Sequence, residues 1–183
     1  MTHFPSLNIV ITGPESTGKS HLAKALAVHY QTSHLPEYAR FYLNQLKRPY
    51  TEQDILIIAK EQFQQQKKLQ KSNPLLFSDT GLVVLNIWST YKYGRCHSWI
   101  TNKLAKQSQH FYLLCQPDIP WIDDPLRENP QDRTALFSLF KNTLAAYQLP
   151  FAEIHGEGDT RIQNAITIIN KLFMTKPSSS STF

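Results

Sequence analysis

Apolar and polar positions follow two rhythms along this chain. Short, mostly apolar runs of four to six residues recur at 7–12, 75–78, 110–115 and 151–155, each bounded by turn-forming or charged residues, and a short strand near 33–36 leads to Glu37. Runs of that length and composition predict strands buried on both faces. Between them, apolar residues fall at three- and four-residue spacings, which predicts helices over 18–30, 38–47, 80–92, 97–107, 134–147 and 159–173, and a long one after Thr51. Pro49 breaks the second helix. Thr51, with Asp54 three residues on, caps the long one as a short-side-chain capping box. Ile55, Ile58, Ala59, Phe63 and Leu69 share roughly one face of it, and Gly94 separates the two helices that follow the third strand. Strands alternating with helices predict an α/β fold: a doubly wound, parallel, five-stranded sheet with its ligand at the C-terminal edge of the strands. Residues 117–133 break the rhythm. They are rich in Pro, Asp and Arg and read as a loop long enough to act as a lid.

Composition narrows this to one domain. The chain has 183 residues, 41% of them hydrophobic, enough for a single core over residues 1–174, with the serine-rich residues 175–183 read as a disordered tail. The net charge of +5 is dispersed. Its densest group, Lys67, Lys68 and Lys71, lies on a glutamine-rich helix and reads as a solvated face, so no nucleic-acid partner is expected. The two cysteines, Cys96 and Cys115, have no C-x-x-C spacing and imply neither a disulfide framework nor a zinc site. The first residues lack a basic-then-apolar leader and no apolar run reaches membrane-spanning length, so a cytoplasmic protein with no membrane partner is expected. Oligomeric state is not legible.

The chemistry is concentrated where strands end. Gly13-Pro14-Glu15-Ser16-Thr17-Gly18-Lys19-Ser20 is a complete G-x-x-x-x-G-K-S phosphate loop between the first strand and the first helix. Gly13 and Gly18 let the backbone turn and approach a phosphate. The unpaired first-turn N–H groups can donate to phosphate oxygens. Lys19 can bridge β- and γ-phosphates, and the Ser20 hydroxyl can hold Mg²⁺. The whole run, with His21 behind it, is the expected ATP site, although His21 suits packing better than catalysis. Asp79 ends the third strand as a Walker B acid does, holding the same metal, and an aspartate there also suits the N-cap of the next helix. Glu37 ends the second strand and can take the proton of an attacking hydroxyl or hold the acceptor's sugar; a first-turn glutamate also complements the helix dipole. Arg40, one turn on, can pair with Glu37 or reach a phosphate. In the lid, Arg127 and Arg133 can neutralise a transferring phosphoryl group, Trp121 can stack on a ring or cap the core, and Asp124 can bind polar substrate groups. Tyr38 and Trp88 are candidate walls for a flat ring, weighed against ordinary core packing.

Taken together, the loop filling Pro14-Glu15-Ser16-Thr17, Glu37-Tyr38-Ala39-Arg40, Phe77-Ser78-Asp79-Thr80, Pro120-Trp121 through Asp124, Leu126-Arg127 and Asp132-Arg133 resemble the ribosylnicotinamide kinase domain of NadR-type proteins over roughly residues 7–170. The resemblance implies a P-loop kinase that uses ATP and Mg²⁺ to phosphorylate the 5′-hydroxyl of nicotinamide riboside, a small-molecule riboside, giving nicotinamide mononucleotide. By the same resemblance Lys19 and Ser20 serve ATP and the metal, Asp79 the metal, Glu37 the acceptor, and Arg127 and Arg133 the lid. Two departures stand out. Gly81 occupies a position where the family often has a second acid, and no His-x-Gly-His-like adenylyltransferase motif occurs. The early phosphate loop also leads us to expect no DNA-binding domain before it. The rival readings are a kinase for another nucleoside or metabolite, and a nucleotide-binding regulatory module. The absence of an Asn-Lys-x-Asp guanine signature weighs against a GTP switch.

Overall fold

The computed structural model describes residues 7–175. Its elements run β1 (Leu7–Thr12), α1 (Lys19–His29), β2 (Ser33–Leu35), α2 (Tyr38–Gln45), α3 (Glu52–Ser72), β3 (Leu75–Asp79), α4 (Leu82–Tyr93), α5 (Ser98–Leu104), β4 (Phe111–Cys115), α6 (Arg133–Ala146), β5 (Phe151–Ile154) and α7 (Gly158–Thr175). The five strands form one sheet in the order β2-β3-β1-β4-β5, parallel throughout. β1 is therefore central, with β3 on one side and β4 on the other. Strand order reverses there, and the cleft that opens at such a reversal is where an open α/β sheet takes its ligand.

The two faces of β1 explain why its sequence is nearly all apolar. Leu7, Ile9 and Ile11 point to one side, where α1 and α7 supply Leu22, Leu26, Ala165 and Ile169. Val10 points to the other, where α3, α4, α5 and α6 supply Ile55, Ile58, Val83, Ile100 and Leu144. Residues two apart in a strand share a face, so a strand covered on both sides needs apolar residues at consecutive positions. Asn8 and the terminal Thr12 are the exceptions, both fully buried. Asn8 Oδ1 accepts a 2.8 Å hydrogen bond from Ser78 Oγ on β3.

Helix ends follow the punctuation in the sequence. Thr51 and Asp54 form the expected reciprocal capping box at the start of α3. The buried Asp54 carboxylate also accepts from Tyr42 at 2.7 Å and from both terminal nitrogens of Arg48, which together hold it well below the usual carboxylate range. Gly94, in the left-handed region, ends α4. Two expectations change. α4 starts at Leu82 with Gly81 as its N-cap, so Asp79 caps nothing. Thr80 takes a positive φ of 65° to turn the chain between them. On α3 the buried stripe passes from Ile55, Ile58 and Ala59 to two glutamines, Gln62 and Gln66, while Phe63 and Leu69 are only half-buried. α7 reaches Thr175, and the rest of the expected tail lies outside the described residues, as do residues 1–6. No helix among the described residues is long and apolar enough to cross a membrane.

Candidate active site

The phosphate loop leaves β1 at Gly13 and enters α1 at Lys19. Gly13 has φ of +134°, and a Cβ there would stand 2.7 Å from the Cys115 carbonyl oxygen, so no other residue fits without moving β4. Gly18 is the N-cap of α1 at φ +74°. Ser16, at φ 53°, is a non-glycine residue in the left-handed region, the kind of local strain that collects at functional sites. The Thr17 hydroxyl and the Lys19 ammonium both donate to the Pro14 carbonyl, at 2.9 and 2.6 Å.

The strand ends bring the two acids to the same edge. Asp79 is 4% exposed and its Oδ1 has no hydrogen-bond partner. Burial raises its pKa, against the lowering effects of a hydrogen bond from Ser20 and the charge of Lys19. Glu37 is half-buried. Burial raises its pKa and the charge of Asp79 raises it further, while Lys19 and Arg40 pull it down. An orphaned carboxylate oxygen beside a serine hydroxyl, at the head of a phosphate loop, fits Mg²⁺, an ion that takes one or two protein oxygens and completes its shell from phosphates and water. Among the described residues no group of three or more His, Cys, Asp and Glu side chains could hold a metal by itself.

A cavity of about 820 Å³ opens from this edge. One end is the whole loop from Gly13 to His21, with Glu37, Arg40 and Arg127 beside it. Away from the loop the lining is aromatic and aliphatic, with Tyr50, Trp88 and Phe140, and also carries the charged Arg48, Lys92 and Glu128. Trp88 Nε1 donates to Tyr50 Oη at 2.9 Å, and the two rings meet edge to face at 4.9 Å. Lys92 stands over the Tyr50 ring and pairs with Glu128 of the lid at 3.1 Å. A second, smaller cavity of about 240 Å³ adjoins the loop from the other side, between Gly18, His21, Ile119 and the turn at Glu157 and Gly158.

Five expected site residues do not line the large cavity. Asp79 lies beneath it, against Ser20. The Tyr38 ring packs on Phe41 and Tyr42, with centroids at 5.7 and 6.2 Å. Trp121 donates its indole N–H to Asp123 at 2.7 Å, and the guanidiniums of Arg127 and Arg133 stand 5.8 and 6.0 Å from its ring. It packs with these two arginines and does not line the cavity. Asp124 pairs with Arg40 at 2.8 Å and caps Leu126 N–H, which keeps its carboxyl low, so Arg40 bridges α2 to the lid instead of pairing with Glu37. Arg133 donates to the Ser16 and Ile119 carbonyls at 3.1 and 2.9 Å, and burial lowers its pKa.

Two positioning residues were not legible beforehand. Gln62, buried on α3, accepts Tyr38 N–H at 2.8 Å and donates at 3.4 Å to the carbonyls of Pro36 and Asp79. One side chain thus spans the exits of β2 and β3, where the two acids sit. Arg161, on α7, is 4% exposed and donates to the carbonyls of Thr17, Gln116 and Gly156 and to Asp118. It ties the phosphate loop to the ends of β4 and β5. A Gly-x-Gly turn just ahead of Arg161 is its sequence signal.

This arrangement has counterparts. The chain is 23% identical over 173 residues to the trifunctional NAD biosynthesis/regulator protein NadR of Salmonella typhimurium, covering 90% of this chain and 42% of that protein. The chain thus spans less than half the length of that relative. The crystal structure of NadR protein in complex with NR superposes with a TM-score of 0.71 at 21% identity, covering 98% of this chain and 55% of the other. A deoxyadenosine kinase from M. mycoides with bound dCTP shares the fold at TM-score 0.56 and 14% identity, over 90% of this chain and 99% of that one. The family described as "AAA domain" matches residues 8–161, a span that holds the phosphate loop, both strand-end acids, the lid and Arg161, and the chain belongs to that family.

Proposed function

We propose that this chain is an ATP-dependent kinase that transfers the γ-phosphoryl group to the 5′-hydroxyl of nicotinamide riboside, giving nicotinamide mononucleotide, in the cytoplasm. The observation that carries the reading is one continuous cavity with Lys19 and Glu37 at its phosphate end and Tyr50 and Trp88 at the other. A riboside placed along it has its flat ring at the aromatic wall and its 5′-hydroxyl toward Glu37. The similarity to NadR supports this acceptor.

In the proposed step the hydroxyl oxygen bonds to the γ-phosphorus as the bond to the β,γ-bridging oxygen breaks. The hydroxyl proton passes to a Glu37 carboxylate oxygen. Lys19, released from the Pro14 carbonyl, spans the β- and γ-phosphates. Arg127, on the lid, adds positive charge beside the transferring group. Ser20 and Asp79 would hold Mg²⁺, which when bound neutralises phosphate charge. Ser20, Asp79 and Lys19 thus serve ATP, while Glu37 and Trp88 serve the acceptor. Trp121, Asp124 and Arg133 act by holding the lid in place.

The test is ATP consumption with nicotinamide riboside against a panel of ribo- and deoxyribonucleosides, with the product identified by mass. Formation of nicotinamide mononucleotide as the preferred product is expected. Clear turnover of another nucleoside with none of nicotinamide riboside would overturn the acceptor. ATP hydrolysis that no acceptor accelerates would overturn the kinase reading.

A further inference from the structure

An acid inside a phosphate loop is electrostatically out of place, because a carboxylate beside a triphosphate weakens its binding. The contacts of Glu15 give it a different task. Its two oxygens accept the backbone N–H of Glu128 at 3.2 and 3.1 Å and that of Asn129 at 2.9 Å. The next residue reaches the same lid. Ser16 Oγ accepts from Ile122 N–H at 2.9 Å and from Arg127 at 3.3 Å. The lid is thus fastened to the loop by the two residues between its proline and its threonine.

The far side of that lid segment faces the other end of the cavity. The Glu128 carboxylate accepts from Tyr50 Oη at 2.8 Å and from Lys92 at 3.1 Å, and Tyr50 in turn accepts from Trp88. Glu128 is therefore held by its backbone from the phosphate loop and by its side chain from the aromatic wall.

We propose that Glu15 is a positioning residue that couples the two ends of the cavity, and not a phosphate ligand. It fastens the lid segment at Glu128 and Asn129 to the phosphate loop, so that filling one end favours the arrangement that fills the other. The coupling is reciprocal by linkage. Naming the occupants as ATP and a riboside rests on the kinase reading above; the fastening itself does not. Hydrogen bonds from two N–H groups to one carboxylate are charge-assisted, and a coupling of roughly tenfold is within reach of such contacts.

The test compares the wild type with Glu15→Gln, which keeps the shape and one carbonyl acceptor, Glu15→Ala, which keeps neither, and Glu128→Gln, which weakens the far side only. The first readout is tryptic cleavage of the Arg127–Glu128 bond, scaled to cleavage elsewhere in the same chain. It requires no catalysis. Cleavage at least tenfold faster in Glu15→Ala than in the wild type is expected, with Glu15→Gln between them. Equal cleavage would overturn the proposal. The second readout is the Kd of a non-hydrolysable ATP analogue with and without nicotinamide riboside. The wild type is expected to gain about tenfold from the riboside. Both Glu15→Ala and Glu128→Gln are expected to gain less than twofold. An undiminished gain in Glu15→Ala would overturn the coupling. If nicotinamide riboside is neither bound nor phosphorylated by the wild type, the acceptor assignment fails by itself and the tryptic readout still decides the fastening.

Discussion

Arg161→Leu tests how the nucleotide end of the site is held together. The guanidinium is 4% exposed and serves the carbonyls of Thr17, Gln116 and Gly156 together with the Asp118 carboxylate. Leucine fills part of the volume but leaves one buried carbonyl, two part-buried carbonyls and one carboxylate without their donor. Breaking a buried charged pair by removing one partner typically costs about 3–5 kcal/mol. Asp118 is 31% exposed and recovers some hydration, which puts the expected loss near the low end, about 3 kcal/mol. For a chain of this size that lowers Tm by roughly 6–12 °C. Arg161→Lys keeps the charge but can serve one or two of the four acceptors, so about half the loss is expected. Urea denaturation gives the stabilities. Titration with an ATP analogue gives the functional consequence, an affinity at least tenfold weaker for the leucine variant, because the Thr17 carbonyl and the Gly156 turn lose their common anchor. A loss under about 1 kcal/mol with unchanged analogue affinity would refute the reasoning, since an idle buried guanidinium would then be replaceable by packing alone.

Four further outcomes are expected. Glu37→Gln should lower phosphoryl transfer at least 100-fold while leaving the analogue's Kd within about twofold, and near-normal transfer would remove Glu37 from the proton-accepting role. Gly13→Ala should destabilise by more than about 2 kcal/mol in urea denaturation, because the φ of +134° and the Cys115 carbonyl at 2.7 Å both oppose a Cβ. Gln62→Leu strands Tyr38 N–H and should cost about 2 kcal/mol, with kcat lowered more than KM changes; an unaltered kcat would confine Gln62 to stability. His110 is 3% exposed and its pKa is lowered by burial from 6.5 to about 4. Its contribution is full above pH 6.5 and is lost as pH falls toward 4, so stability from this group should drop by about 2 kcal/mol between pH 7.5 and 5, and His110→Phe should flatten that part of the profile.

The local parts of the site were legible because their causes are local. A phosphate loop is defined by residues within eight positions. A strand covered on both faces shows itself as a continuous apolar run, so β1 and β3, with Asp79 at its end, could be read directly, while the three-residue, half-buried β2 before Glu37 rested on its place in the alternation. The capping box at Thr51 and Asp54 is a contact over three residues and was equally readable. The residues of the 117–133 loop were picked out as candidates, but their orientation was not legible: nothing in the residues around Trp121 says that its ring packs with Arg127 and Arg133 and does not line the cavity.

Sequence alone determined that this chain folds as alternating strands and helices, places a phosphate loop after its first strand, and carries an acid at the end of each of the next two. Tertiary structure decided which groups act together. Gln62 reaches Pro36 across 26 positions, Glu15 reaches Glu128 across 113, and Arg161 reaches Thr17 across 144. The residues around each of these polar side chains do not say which distant group it will meet. Their partners are backbone groups, which carry no residue-specific signal, brought within reach only when the sheet closes in the order β2-β3-β1-β4-β5. Hydrogen bonding is short-ranged and directional, so sequence can supply the donors and acceptors but only the closed fold selects the pairs.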